Sequence, residues 1–128
     1  MPRLRPETLN EYVKIARPIL VQIARDRSTI TYGKLMQRMG GRPGRGYIAE
    51  VLEEIAETER AAERPKLTAV VVRSDTGMVG GGFFGLQDTP SNLLRTSPDE
   101  WQDSRLSTAD RRYWEQELER LYRYWQTH

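Results

Sequence analysis

Residues 28–49, Ser28-Thr29-Ile30-Thr31-Tyr32-Gly33-Lys34-Leu35-Met36-Gln37-Arg38-Met39-Gly40-Gly41-Arg42-Pro43-Gly44-Arg45-Gly46-Tyr47-Ile48-Ala49, decide how the whole chain folds. Ser28 to Ile30 read as an extended connector. Thr31 is a good N-cap, because its hydroxyl can accept from a free amide of a first helical turn, and it predicts a short helix from Tyr32 to about Met39. Gly40-Gly41 ends that helix, since glycine adopts the positive φ of a helix terminus without a Cβ penalty. A further helix starts between Pro43 and Tyr47 and runs to about Ala62. The result is a helix-turn-helix with its basic residues gathered at the turn.

Toward the N-terminus, Pro6-Glu7-Thr8 supplies a proline-opened, acidic first turn. Leu9, Tyr12, Val13, Ala16, Ile19, Leu20, Ile23 and Ala24 then follow at three- and four-residue spacing, which predicts a helix with one face in the core. Pro18 lies inside this pattern and lacks an amide, so one kinked helix is expected. Toward the C-terminus, the third helix carries Ile48, Val51, Leu52, Ile55, Ala56 and the stem of Glu59 on one side and an acidic face of Glu50, Glu53, Glu54 and Glu57 on the other. Pro65 stops it. Leu67 to Arg73 is a β-branched run that reads as a strand, and Ser74-Asp75-Thr76-Gly77 is a tight turn. Met78 to Phe84 reads as the return strand, weakened by Gly80, Gly81 and Gly82. Three helices and then a hairpin is the order of a winged helix.

Gly85 to Pro98 carries turn chemistry and is expected to be irregular. Ser97-Pro98-Asp99-Glu100 opens a short helix bearing Trp101. Ser107 or Thr108 caps a long last helix to about Gln126, with Tyr113, Trp114, Glu117, Leu118, Leu121, Tyr122 and Trp125 in helical register. The expected fold is mainly α with a small β-hairpin (α+β), a winged helix-turn-helix with an added C-terminal helix. Residues 1–128 form a single domain, with a winged-helix core at about 6–84, an irregular linker at 85–98 and a C-terminal helical extension at 99–126.

A chain of 128 residues, 38% hydrophobic and 30% charged, has the composition of one globular domain with a modest core. No apolar run approaches the roughly 20 residues of a membrane span, and the N-terminus lacks the apolar core of a signal peptide, so a cytoplasmic location and no membrane partner are expected. The chain has no cysteine, which excludes disulfides, cysteine nucleophiles and thiolate metal sites, and its one histidine is the terminal His128. No metal and no cofactor are expected. A net charge of +2 is too small to announce a nucleic-acid binder, although the pI near 9.1 permits one.

Local clustering is more informative. Lys34, Arg38, Arg42 and Arg45 surround the start of the third helix, where free backbone amides and partial positive charge already favour an anion. Gly40, Gly41, Gly44 and Gly46 would let a phosphate backbone approach closely. The bland alternative is a solvated loop. The acidic face beyond Ala49 would repel a duplex laid along the helix, so only its first turn can enter a groove. On the expected wing, Arg73 and the glycine-lined strand could lie against sugar-phosphate, and Phe83 or Phe84 could stack on a base; at least one of the two phenylalanines belongs to the core. In the last helix the aromatic stripe reads most simply as a packing face. Its alternative use is partner docking through Trp114, Tyr122 and Trp125, because such residues anchor interfaces.

Thr31-Tyr32-Gly33-Lys34-Leu35, Gly40 and Gly46-Tyr47-Ile48-Ala49 resemble the helix-turn-helix of the O6-alkylguanine-DNA alkyltransferase and alkyltransferase-like families. Val70-Val71-Val72, Ser74-Asp75-Thr76-Gly77 and Gly80-Gly81 are similar to the segment after their active site. The likeness covers about residues 28 to 84. It implies that Tyr32 takes the place of the tyrosine that helps rotate a nucleotide out of the duplex. The family's inserted arginine falls on Gly46, one residue from Arg45. Leu67-Thr68-Ala69 stand where the Pro-Cys-His-Arg acceptor motif would be, so no thiolate is present to accept an alkyl group.

These features lead to the expectation of a non-catalytic protein that binds double-stranded DNA through the helix-turn-helix tip and a glycine-rich wing. The expected contacts are Tyr32, Lys34, Arg38, Arg42, Arg45, Tyr47 and Arg73. The alternative is an interaction or regulatory module in which the acidic third helix or the aromatic last helix docks a protein partner or a second copy. An enzyme such as a nuclease has no metal-ligand set in the sequence to support it.

Overall fold

Helix α1 (Pro6–Arg25) is opened by Pro6 at its first position and by Glu7 in its acidic first turn, and it buries Ala16, Leu20, Val21 and Ala24. The computed structural model describes residues 3–86 and 88–128, except for the side chain of Arg45; Gln87, in the expected irregular segment, lies outside them. Helix α1 runs through Pro18 as one element. Pro18 and Lys14 both lie on the exposed side, where water can satisfy the Lys14 carbonyl that loses its amide partner.

Strand β1 (Ile30–Thr31) leads directly into α2 (Tyr32–Arg38), where the Thr31 hydroxyl accepts from the Lys34 amide at 3.2 Å. Gly40 and Gly41, with φ of +89° and +85°, end the short helix as expected. Helix α3 (Arg45–Ala61) begins after Gly44 and buries Ile48, Val51, Leu52 and Ile55.

The hairpin expected at 67–84 is not what forms. Leu67–Val70 make a buried 3-10 turn, and only Val71–Val72 are extended, as β2. Strand β2 pairs in parallel with β1, Ile30 opposite Val71 and Thr31 opposite Val72, so the sheet joins distant segments rather than neighbours. Val70, Val71 and Val72 are all buried, and an apolar run covered on both faces suits a parallel pair better than a half-exposed hairpin. The turn after β2 is nonetheless tight: the Gly77 amide donates to the Arg73 carbonyl and the Arg73 amide to the Met78 carbonyl, each at 2.9 Å.

In place of a return strand, Gly81–Gly85 coil into a second 3-10 turn under α4 (Pro98–Gln102). The glycines are required by proximity. A Cβ on Gly81 would stand 2.5 Å from the Trp101 carbonyl oxygen and 2.6 Å from that of Asp103, and one on Gly85 would stand 2.6 Å from Trp101 Nε1. Helix α4 is capped by Ser97, whose hydroxyl accepts from the Glu100 amide.

Helix α5 (Thr108–Thr127) opens with a capping box between Ser107 and Asp110. It is not an appended extension. Trp114, Leu121, Tyr122 and Trp125 are buried in the same hydrophobic cluster as α1, α3 and the valine run. Trp114 Nε1 donates to the Ala69 carbonyl at 2.8 Å, and the Tyr122 hydroxyl donates to the Ser28 carbonyl at 2.8 Å. Trp125 lies under the Arg17 and Arg25 guanidinium groups, at 5.7 Å and 5.4 Å from its ring centroid. The anchor role considered for Trp114, Tyr122 and Trp125 is therefore corrected: these side chains pack on their own domain. No helix among the described residues is long and apolar enough to cross a membrane.

Candidate nucleic-acid interface

The expected contact residues divide between two sides of α2. Successive residues advance about 100° around a helix, so Tyr32 and Met36 share one side while Lys34 and Arg38 project roughly opposite. Lys34, Arg38 and Arg42 are exposed and form no ion pair among the described residues. Lys34 and Arg38 are one turn apart on the same face, and Arg42 stands in the glycine turn that follows. Gly44 precedes α3 with φ of +98° and offers no side-chain cap, so the helix N-terminus is left to solvent or a ligand. Tyr47 is half-buried in the first turn of α3. Arg45 opens α3, but its side chain lies outside the described residues.

Tyr32 and Arg73 lie elsewhere. They line an open groove of about 1170 Å³ bounded by α2, the outer face of α3, the turn after β2, the Gly81–Gly85 turn and Trp101. Burial raises the pKa of the Tyr32 phenol, an effect opposed by the Gly80 amide and the Arg73 charge. Arg73 is not free to meet a phosphate, because its Nε and Nη2 reach the two oxygens of Asp75 at 2.9 Å and 2.8 Å. That pairing holds the Asp75 carboxyl below, and the guanidinium above, the usual range. Phe83 and Phe84 are both core residues, packed edge to face with centroids 5.5 Å apart, so neither is available to stack on a base.

The acidic face of α3 forms one wall of this groove, with Glu50, Glu53, Glu54 and Glu57 along it. Glu57 pairs with Arg60, and Glu50 accepts from the Leu4 amide at 3.1 Å. Glu53 and Glu54 have no cationic partner among the described residues. Below Glu53 opens a smaller slot of about 100 Å³, lined by Leu52, Val71, Val79, Phe83, Leu86 and Thr68 among others. Thr68 belongs to the stretch Leu67-Thr68-Ala69 that the alkyltransferase likeness aligns with an acceptor motif. All three residues are buried.

Two buried charges lie near the groove, of which the sequence pointed to the stem of Glu59 and missed Lys66. Glu59 is only 1% exposed and is held between Arg17, at 2.7 Å, and Arg64. Lys66 is buried against Asp88. Glu59 continues the α3 core stripe, where the sequence placed its stem. Among the described residues, no three His, Asp or Glu side chains are placed to share a metal ion. Comparison with protein-family models, with curated proteins and with solved structures found no match.

Proposed function

We propose that this chain binds duplex DNA, without chemistry of its own, through the tip of its helix-turn-helix. Lys34, Arg38 and Arg42 neutralise phosphates, the uncapped start of α3 adds its amides, and Arg45 and Tyr47 extend the contact from the first turn of that helix. The observation that carries this reading is the pairing pattern: these three cations stand exposed and close together without carboxylates, whereas Arg60, Arg64, Lys66 and Arg73 along the groove are each paired with one. The order α2, glycine turn, α3 supports the proposed kinship with the alkyltransferase-like helix-turn-helix. Absence of cysteine argues against alkyl transfer. The contact set is narrower than the sequence implied, since Arg73 is held by Asp75 and no hairpin wing stands among the described elements.

The test is duplex affinity at two salt concentrations, with the wild type and the Lys34→Ala/Arg38→Ala/Arg42→Ala variant. Each phosphate contact removed should lower the slope of log affinity against log salt by about 0.9. A wild-type chain that shows no duplex binding at low salt, or a triple variant with an unchanged slope, overturns the proposal.

A further inference from the structure

Helix α1 is preceded by Arg3-Leu4-Arg5, a segment that contact at the tip leaves unused. Leu4 is half-buried and packs against the core, while Arg3 and Arg5 on either side of it are exposed. That alternation belongs to extended chain, which turns one side chain inward and its two neighbours outward together. Arg5 has the matching φ of -64° and ψ of 147°. A hydrogen bond fixes the segment further: the Leu4 amide donates at 3.1 Å to Glu50, in the second turn of α3. Arg3 and Arg5 make no ion pair among the described residues. Their backbone is anchored and their guanidinium groups are unpaired.

We propose that Arg3 and Arg5 make a second phosphate contact, on the same duplex that Lys34, Arg38 and Arg42 hold at the tip, which rests on the DNA reading above. Arg3 shares the lining of the groove with Ile48, Ala49 and Glu50, from the first two turns of α3. Glu50 stands about 7.5 Å along the helix axis from Arg45, at a rise of about 1.5 Å per residue. A duplex carries one charge per roughly 1.7 Å of its length, so phosphates beyond those at the tip lie within that reach. The acidic face of α3 does not oppose the contact at this level. Glu50 is the first carboxylate of that face after the tip, and it is the one engaged by the Leu4 amide between two arginines. Repulsion of the duplex therefore begins a turn later, at Glu53 and Glu54. An anchored backbone also leaves only the side chains to be ordered on binding, which lowers the cost of each contact.

The probe is a fluorescein-labelled duplex of about 20 base pairs, titrated with the full chain over a series of salt concentrations and read by fluorescence anisotropy. Arg3→Ala/Arg5→Ala should reduce the slope of log affinity against log salt by about 0.9 for each of the two contacts. Arg3→Lys/Arg5→Lys keeps both charges and should keep the slope. Arg111→Ala/Arg112→Ala removes two charges from the exposed face of α5 and should leave it unchanged. Leu4→Ala retains both arginines on a looser mount and should weaken binding several-fold, with circular dichroism to show that the fold is intact. A duplex that binds the wild type and responds to Lys34→Ala/Arg38→Ala/Arg42→Ala, but not to Arg3→Ala/Arg5→Ala, overturns this proposal and leaves the DNA reading standing. An equal loss of slope in Arg111→Ala/Arg112→Ala, a lost slope in Arg3→Lys/Arg5→Lys, or wild-type affinity in Leu4→Ala also overturns it. A wild-type chain that binds no duplex overturns both.

Discussion

The two ends of α3 are built from the same kinds of residue and behave as opposites. Before its start, Lys34, Arg38 and Arg42 are exposed without an ion pair among the described residues, and Gly44 offers the helix no side-chain cap. At its end, Glu59 is buried between Arg17 and Arg64, and beyond it Lys66 is buried against Asp88. A charge on the surface keeps its hydration and stays available to a ligand, whereas a charge inside must find a partner within the fold. The status of a charged residue therefore follows from what covers it rather than from its type.

The strongest way to break this contrast is to remove Glu59. Glu59→Ala leaves two arginines facing a vacated site, and because both are partly exposed the expected loss is about 2–4 kcal/mol in urea unfolding. Lys34→Ala/Arg38→Ala should stay within about 0.5 kcal/mol of the wild type in the same assay. Equal losses in the two variants would remove the distinction between a structural and an available charge.

The glycines repeat the comparison at smaller scale. Gly81→Ala would drive a Cβ into the carbonyls of Trp101 and Asp103 and should cost about 1–3 kcal/mol, seen as a lower melting temperature with a changed Trp101 fluorescence environment. Gly40→Ala meets no neighbour, so only its φ of +89° is penalised, at about 1 kcal/mol. A Gly40 variant as damaging as the Gly81 variant would show that the tip is packed more tightly than its open surroundings indicate.

The smallest effect concerns pH. Hydrogen bonds from the Arg105 side chain and amide lower the Asp103 pKa from 3.8 to about 2. Because the folded value is the depressed one, its stabilising contribution is present above 3.8 and is lost as pH falls through about 2. An NMR titration of the Asp103 side chain should give a midpoint near the lower value, and Arg105→Ala should move it back toward the upper one.

Much of the fold was legible because its signals are local. Thr31, Gly40-Gly41, Ser97 and Ser107 each act on backbone groups within a few residues, and each bounds a helix where the sequence placed it. Val70-Val71-Val72 was misread, since an apolar run reads alike whether its pairing partner follows in the chain or lies some 40 residues earlier at Ile30-Thr31. Arg95 carried no local signal at all. Its guanidinium ties together the carbonyls of Glu100, Asp103 and Arg105 and the Asp110 carboxylate, a set assembled only by folding.

Residues 28–49 by themselves determined a helix, a glycine turn and a helix with cations at the turn, because caps, positive-φ glycines and helical periodicity act over one or two turns. Only the tertiary structure decided which of those residues face outward together. It placed Tyr32 in the acid-walled groove with Arg73, left Lys34, Arg38 and Arg42 at the tip, and drew the aromatic last helix into the core. The reason is physical: which face of each helix is covered, and which charge meets a partner, depends on contacts between segments far apart in the chain.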